Sequence, residues 1–428
     1  MKRLSPSPVG GSLWIPSSKS QTIRGLLIAL AAHDRSVLEN PLYSADTESC
    51  MTLLEKVGCT LVRNEHSILV DSSRVDGRGK SIDIDTGNSG TTTYLAYGIL
   101  GTLGYDSIRL HGDGQLNRRP IAPLAEAYAD LGLEGRCTDG CPPVTITGHL
   151  NGGKTSIECP TSQWLSSLLL SLPLAEGDSI VDVPLLYEKP YVGMTLDWLD
   201  WQGISYTITE DMQHVEIPGG QSYHPFTRAI AGDWSSASFF LAAAAITGSR
   251  LTLHGLDKDD SQGDKAVVDI LCDMGCTAVW NDGALTIEGP EKLRGGQWDI
   301  NATPDALPIL SVLACGASGP VRLYNVASAR IKETDRISAM AGILTQLGLK
   351  VDEGSDYIEI QPGRLKEDLV LPGHGDHRII MAEAILSLVC PLTIDDERAA
   401  AVTFPTFFTL LESIRKEAST TCSTRLQT

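Results

Sequence analysis

Apolar residues along this chain gather into runs, and the runs recur at a nearly fixed interval. Six of them, at residues 26–32, 93–101, 165–174, 239–246, 309–315 and 381–390, predict buried helices, and successive runs start 67 to 74 residues apart. Each is followed by a short strand-like segment with alternating apolar and polar positions: 36–40, 106–110, 178–182, 249–253, 320–324 and the shorter 392–395. After each of the first five strands comes a second helical pattern that closes on a glycine. Examples are 45–57 before Gly58, 191–201 before Gly203, 266–274 before Gly275 and 338–347 before Gly348. The chain thus reads as six copies of one βα-type unit in an α/β fold. Such copies bury their apolar faces against each other, three to a group, and the polar, weakly periodic stretch 219–225 predicts the crossing between groups.

Composition narrows the function. A chain of 428 residues, 42% of them hydrophobic, has enough material for two cores. It has no apolar run of 18 residues, so no membrane span is expected. Pro6 and Pro8 follow Lys2 and Arg3 without an apolar stretch, so no secretory leader is expected and the cytoplasm is. The ten cysteines, from Cys50 to Cys422, are scattered singly; the Cys272/Cys276 pair lacks a second ligand pair, and both read as reduced core thiols. A net charge of −19 argues against nucleic acid and anionic membranes as partners. It leaves room for a small anion held by a few focused cations.

The charged residues that could do this stand at the turns opening the units. Lys19, Ser20 and Arg24 precede the first apolar run, with Ser20 a candidate cap whose helix start offers free N–H groups to an anion. The small-residue turn Gly87-Asn88-Ser89-Gly90-Thr91-Thr92 allows close backbone approach to a ligand. Arg118 and Arg119 precede a helix expected to hold Pro120 in its first turn, and arginine suits phosphates and carboxylates. Thr161, Ser162 and Gln163 open the third unit, Asp233 and Ser235 the fourth, Asp305 the fifth, and Asp376, His377 and Arg378 the sixth. Arg330, Lys332, Glu333, Asp335 and Arg336 alternate charge before a second helix. Neither a strand-GxGxxG-helix signature nor a GxxxxGK[ST] loop is present. With no Gly-x-Ser-x-Gly elbow and no metal spacing, a transferase of phosphorylated substrates is expected rather than a hydrolase.

These residues, in this order and at these separations, resemble the enolpyruvyl transferase family, in particular its branch acting on shikimate 3-phosphate. The resemblance rests on Ser18-Lys19-Ser20 with Arg24, Gly87 to Thr91, Arg119-Pro120, Ser162-Gln163, Lys189-Pro190-Tyr191, Gly232-Asp233 with Ser235-Ser236, Lys332 to Arg336, and Asp376-His377-Arg378. It implies an inside-out α/β barrel in each of two domains, each of three βαβαββ units. Residues 1–15 would belong to the second domain, with 16–228 forming the first and 229–428 the rest of the second. The active site would lie in the cleft between them, and the chain would be a monomer without metal or cofactor. Phosphoenolpyruvate would be held by Lys19, Arg119, Gln163, Arg336 and Arg378, with Gly90 packed against it where the herbicide glyphosate binds. Shikimate 3-phosphate would meet Lys19, Ser20, Arg24, Thr161, Ser162, Tyr191, Asp305 and Lys332. Asp305, Glu333 and Lys19 would handle protons in an addition–elimination serving aromatic amino acid biosynthesis.

Four positions depart from the family pattern. Tyr94 stands in place of a common arginine, Glu188 in place of a serine that helps hold the ring phosphate, Ser328 in place of a larger polar residue, and Val402 in place of a lysine. Losing a cation and adding a carboxylate both weaken anion binding unless Lys189 or Arg118 compensates. A related transferase with a different cyclic alcohol as acceptor is the alternative.

Overall fold

The computed structural model describes residues 1–416, and Cys422 lies outside them. The six apolar runs are the helices Lys19–Ala31, Gly90–Gly101, Ser162–Ser171, Trp234–Ile246, Leu307–Leu313 and His377–Leu386. All six begin before their apolar run, because most of the first turns are built from small and polar residues that carry no hydrophobic signal; the fifth opens instead on Leu307 and Pro308. Trp234–Ile246 is buried at every residue except Ile246. A helix apolar all round needs cover on every side, so these six stand inside and the sheets lie outside them.

The first five units repeat one order, the opening strands of the first and fourth coming from elsewhere in the chain, and the sixth lacks the hairpin. In the second unit the order is Ser81–Asp85, Gly90–Gly101, Ser107–His111, Ala122–Ala129, Leu133–Thr138 and Cys141–Gly148: strand, core helix, strand, outer helix, then a hairpin. The first two strands pair in parallel across the core helix, and the hairpin adds antiparallel partners. Five sheets have four strands and the sixth has three; each is open and mixed, and none closes on itself into a barrel. The outer helices end on Gly58, Gly203, Gly275 and Gly348, all at φ between +72° and +111°, where only glycine is unstrained. Between the Gly90–Gly101 and Ser162–Ser171 helices, Gly98 permits close contact: a Cβ there would lie 2.2 Å from both Ser171 Oγ and Tyr128 Oη.

Two strands trade places between the halves of the chain. Thr227–Ala229 runs parallel to Arg35–Glu39 as the first strand of the first unit, and Gly11–Trp14 runs parallel to Arg250–His254 in the fourth. Lys2–Leu4 completes the sixth sheet against Leu392–Ile394. The two crossing segments lie side by side: Ser18 N–H donates to Ala231 O at 2.9 Å and Asp233 N–H to Pro16 O at 2.8 Å. Buried apolar residues form two clusters, one drawn from residues 23–230 and one from 4–15 with 234–414. The described cysteines are free thiols, and burial pushes that of Cys276 up to about 12. No helix among the described residues is long and apolar enough to cross a membrane.

One buried group opposes folding. Glu383, on the His377–Leu386 helix, is fully buried, and neither of its carboxylate oxygens meets a hydrogen-bond partner among the described residues. Burial, then the nearby Asp395, pushes its carboxyl up to about 8. The native chain holds this proton at pH values where the unfolded chain, with a pKa of about 4.3, has released it, so stability falls as pH rises between those two values. Glu383→Met, of similar volume, is expected to stabilise the protein by about 1–3 kcal/mol near pH 8 and to flatten that decline. Urea denaturation of parent and variant from about pH 5 to pH 8 checks this. A variant less stable than its parent at the upper end would contradict it.

Candidate active site

The starts of five core helices, with the Pro304–Ala306 turn opening the fifth, line one cavity, and the fourth reaches it through Ser235, which accepts from Arg378. Ser18, Ser89, Thr161, Asp233 and Asp376 cap five of the six, each accepting a hydrogen bond from a first-turn backbone N–H. The expected cap at Ser20 is therefore corrected to Ser18, with Ser20 inside the first turn and facing the cavity. The fifth helix has no side-chain cap and begins through the turn Pro304–Ala306, which carries Asp305. Pro120 lies ahead of its helix, which starts at Ala122 and has Pro123 in its first turn instead. Helix N-termini carry partial positive charge and unpaired N–H groups, so their convergence favours anions before any side chain is counted.

Six cations and four carboxylates line this cavity. Lys19 Nζ lies 2.9 Å from Asp46 Oδ2. Arg119 lies 3.5 Å from Glu333 Oε1 and donates to Asn88 Oδ1 at 3.1 Å. Lys332 pairs with Glu188. Arg336 donates to Asp376 Oδ2 at 2.8 Å, Asp305 Oδ1 at 2.7 Å and Glu333 Oε2 at 2.5 Å. Arg378 reaches Asp305 Oδ2 at 2.8 Å and donates to Ser235. Arg24 donates to Thr195 Oγ1 and Tyr191 O, both at 2.9 Å, and burial lowers it to about 10. Contacts that join the two halves of the chain here include Lys332 with Glu188, Arg119 with Glu333, and Tyr191 Oη with Asp264 Oδ2 at 2.6 Å.

Burial and pairing set the protonation states. Burial alone would raise Asp305, but Arg378, Lys332 and Arg336 hold its carboxyl well below the usual range. Glu333 is likewise held down, against burial, by Arg336 and Arg119. Burial raises Asp46, and Lys19 only partly offsets it. Asp264 has no cation in direct contact; burial, then Asp305, pushes it up to about 6. Burial drives the His377 imidazole well below its normal value, so it stands neutral.

The residues to which the resemblance gives a role all line this cavity: Lys19, Ser20, Arg24, Gly90, Arg119, Thr161, Ser162, Gln163, Tyr191, Asp305, Lys332, Glu333, Arg336 and Arg378; of the other turn residues, Thr91 and His377 line it, while Asn88, Asp233, Ser235, Arg330, Asp335 and Asp376 do not. Gly90 abuts Arg119, since a Cβ there would lie 2.6 Å from Arg119 Nη1. Tyr94 and Glu188 also line it, whereas Lys189, Arg118, Ser328 and Val402 do not. Tyr94 donates to Pro120 O at 2.9 Å and so braces the segment carrying Arg119. Sequence reasoning missed Asp46 and Asp264: Asp46 reads as one of two acids in the first turn of the helix Ala45–Lys56, and Asp264 as the last of an acidic run with Asp257, Asp259 and Asp260. The one signal near Asp264 is Gly263, where a Cβ would lie 2.2 Å from Ala302 O and 2.9 Å from Pro190 Cβ.

Comparison with known proteins agrees with this geometry. Residues 4–411 match the family model described as EPSP synthase (3-phosphoshikimate 1-carboxyvinyltransferase). The chain is 42% identical over 418 residues to the 3-phosphoshikimate 1-carboxyvinyltransferase of Ruminiclostridium cellulolyticum, covering 96% of this chain and 97% of that one. It is 37% identical to that of Methanococcoides burtonii, covering 95% and 96%. Among solved structures it is similar to EPSP synthase from Acinetobacter baumannii, with a TM-score of 0.79 and 25% identity over 96% of this chain and 98% of that one. The enolpyruvyl transferase NikO from Streptomyces tendae shares the fold, with a TM-score of 0.78 at 16% identity over 96% of each chain. On this match of sequence and fold, the chain belongs to the EPSP synthase (3-phosphoshikimate 1-carboxyvinyltransferase) family.

Proposed function

We propose that this chain transfers the enolpyruvyl group of phosphoenolpyruvate to the 5-hydroxyl of shikimate 3-phosphate, releasing phosphate. Family membership supports the reaction. The gathering on one cavity of the residues to which the resemblance gives a role is the observation that carries the assignment of roles. Both substrates are polyanions, each phosphate monoester bearing about 1.5 to 2 negative charges near neutral pH, and the cavity has cations in excess of carboxylates. Lys19, Arg119, Gln163, Arg336 and Arg378 hold phosphoenolpyruvate. Lys19, Ser20, Arg24, Thr161, Ser162, Tyr191, Asp305 and Lys332 hold the ring substrate. Residues 1–15 with 229–428 form one domain and 16–228 the other, each an inside-out α/β barrel, and closure over both ligands excludes water. The enzyme works as a cytoplasmic monomer without metal or organic cofactor.

In the addition step the 5-hydroxyl oxygen bonds to C2 of phosphoenolpyruvate as C3 gains a proton. Asp305 accepts the hydroxyl proton, and Glu333 or Lys19 supplies the one at C3. In the elimination step C3 loses a proton and the C2–O bond to phosphate breaks, giving the enol ether. Asp305 is a weak base while Arg378 and Arg336 hold it. Ligand anions that draw those guanidinium groups away make it a stronger one. The same cations stabilise charge developing in the tetrahedral intermediate. Glu188, buried in the cavity, favours one second reading, a related transferase whose acceptor is another cyclic alcohol.

Phosphate release from phosphoenolpyruvate by the purified protein separates the two readings. Release dependent on shikimate 3-phosphate is expected, and its absence with a folded protein would leave the second. Asp305→Asn is expected to lower kcat about a hundred- to ten-thousandfold while the protein stays folded. An unchanged kcat would remove Asp305 from the chemistry. Gly90→Ala displaces Arg119 and is expected to raise the phosphoenolpyruvate KM about 5- to 30-fold, with the acceptor KM nearly unmoved. Steady-state kinetics with each substrate varied checks this, and an unmoved phosphoenolpyruvate KM would contradict it.

A further inference from the structure

Glu188 has an arrangement of its own. It caps the Lys189–Gln202 helix at φ +59° and ψ +39°, a left-handed conformation that a residue with a long side chain rarely adopts. Its carboxylate is nearly fully buried in the cavity. One oxygen accepts both from the Ser162 backbone N–H, at 3.2 Å, and from the Ser162 hydroxyl, at 2.8 Å. The other accepts from the Lys332 ammonium. A helix N-terminus, a hydroxyl and an ammonium together make a seat for an oxyanion, and the chain's own carboxylate sits in it. The backbone at Glu188 joins the same contact, its N–H donating to Asn301 Oδ1 at 3.3 Å across the cleft.

We infer that Glu188 is a tethered anion that occupies the seat of the acceptor's phosphate until that phosphate displaces it. This rests on the acceptor reading given above, which places Ser162 and Lys332 at the ring substrate. Ser162 has one N–H and one O–H hydrogen, and both are committed to Glu188, so an arriving phosphate finds these donors taken. It also meets a like charge, which adds repulsion in a site screened from water. Displacement therefore requires the Glu188 side chain to leave and frees Lys332 to turn to the ligand. Glu188 sets acceptor affinity without touching the reacting atoms. It is a positioning and specificity residue.

The test is equilibrium binding of inorganic phosphate and of shikimate 3-phosphate to the parent chain, Glu188→Gln and Glu188→Ser, with thermal unfolding establishing that both variants fold. Both anions are expected to bind about tenfold tighter or more to the variants, a gain of one pK unit's worth of interaction. The acceptor KM should fall with them, while the phosphoenolpyruvate KM moves less than about twofold, a split that loss of packing alone would not give. Folded variants that bind both anions no more tightly than the parent would overturn the inference. If the parent fails to turn over shikimate 3-phosphate yet the variants gain phosphate affinity, the tethered anion stands and the acceptor reading falls.

Discussion

Arg336 is almost wholly buried, and the cleft is organised by its need for partners. It meets three carboxylates, from Asp376, Asp305 and Glu333, and through Asp305 it is joined to Arg378. A guanidinium out of water must be neutralised, and the reverse holds for each acid, so removing one member leaves a charge stranded. Such a network is weak evidence of stability, because well-packed apolar residues can do as well. Its value here lies in holding charged groups of both signs at fixed positions where ligand charges can replace some of the partners. Lys19 with Asp46 and Lys332 with Glu188 repeat the pattern, so each half of the cleft keeps its cations paired internally or across the gap.

The fold serves this arrangement. Six helices apolar on every side can be buried only inside their sheets, and stacked in that way they point their first turns at a common region. The exchanged strands Gly11–Trp14 and Thr227–Ala229 tie the two halves by a pair of crossing segments at Pro16 to Ser18 and Ala231 to Asp233. The first segment leads directly into the helix bearing Lys19 and Arg24. The site's chemistry therefore begins where the chain crosses.

Much of this was legible in the sequence for a physical reason. A buried helix writes an apolar run and a strand writes an alternation, so the six units and their order could be read. Caps could not be placed to the residue, since Ser18 and Ser20 are equally good on paper and only the turn geometry separates them. The three-residue strand Thr227–Ala229 is too short to leave a periodic signal, and its partner Arg35–Glu39 lies almost 200 residues earlier. Candidate charges were found because turns that carry arginine and lysine beside small residues stand out, and the family resemblance sorted them. What stayed hidden was pairing. That Asp305 sits between two arginines, that Glu188 fills an anion seat, and that Asp264 reaches Tyr191 past the bare backbone of Gly263 all depend on contacts between residues far apart in the sequence.

The central claim is that the carboxylates of the cleft stand in for substrate charges and are exchanged for them. A crystal structure with shikimate 3-phosphate and a non-reacting phosphoenolpyruvate analogue tests it most directly, through the separation of Arg378 from Asp305 and of Arg119 from Glu333. These are 2.8 Å and 3.5 Å without ligands. The account predicts that both pairs part, with the guanidinium groups turned to ligand oxygens and Asp305 facing the 5-hydroxyl. Both pairs intact, with the ligand anions held elsewhere, would contradict it.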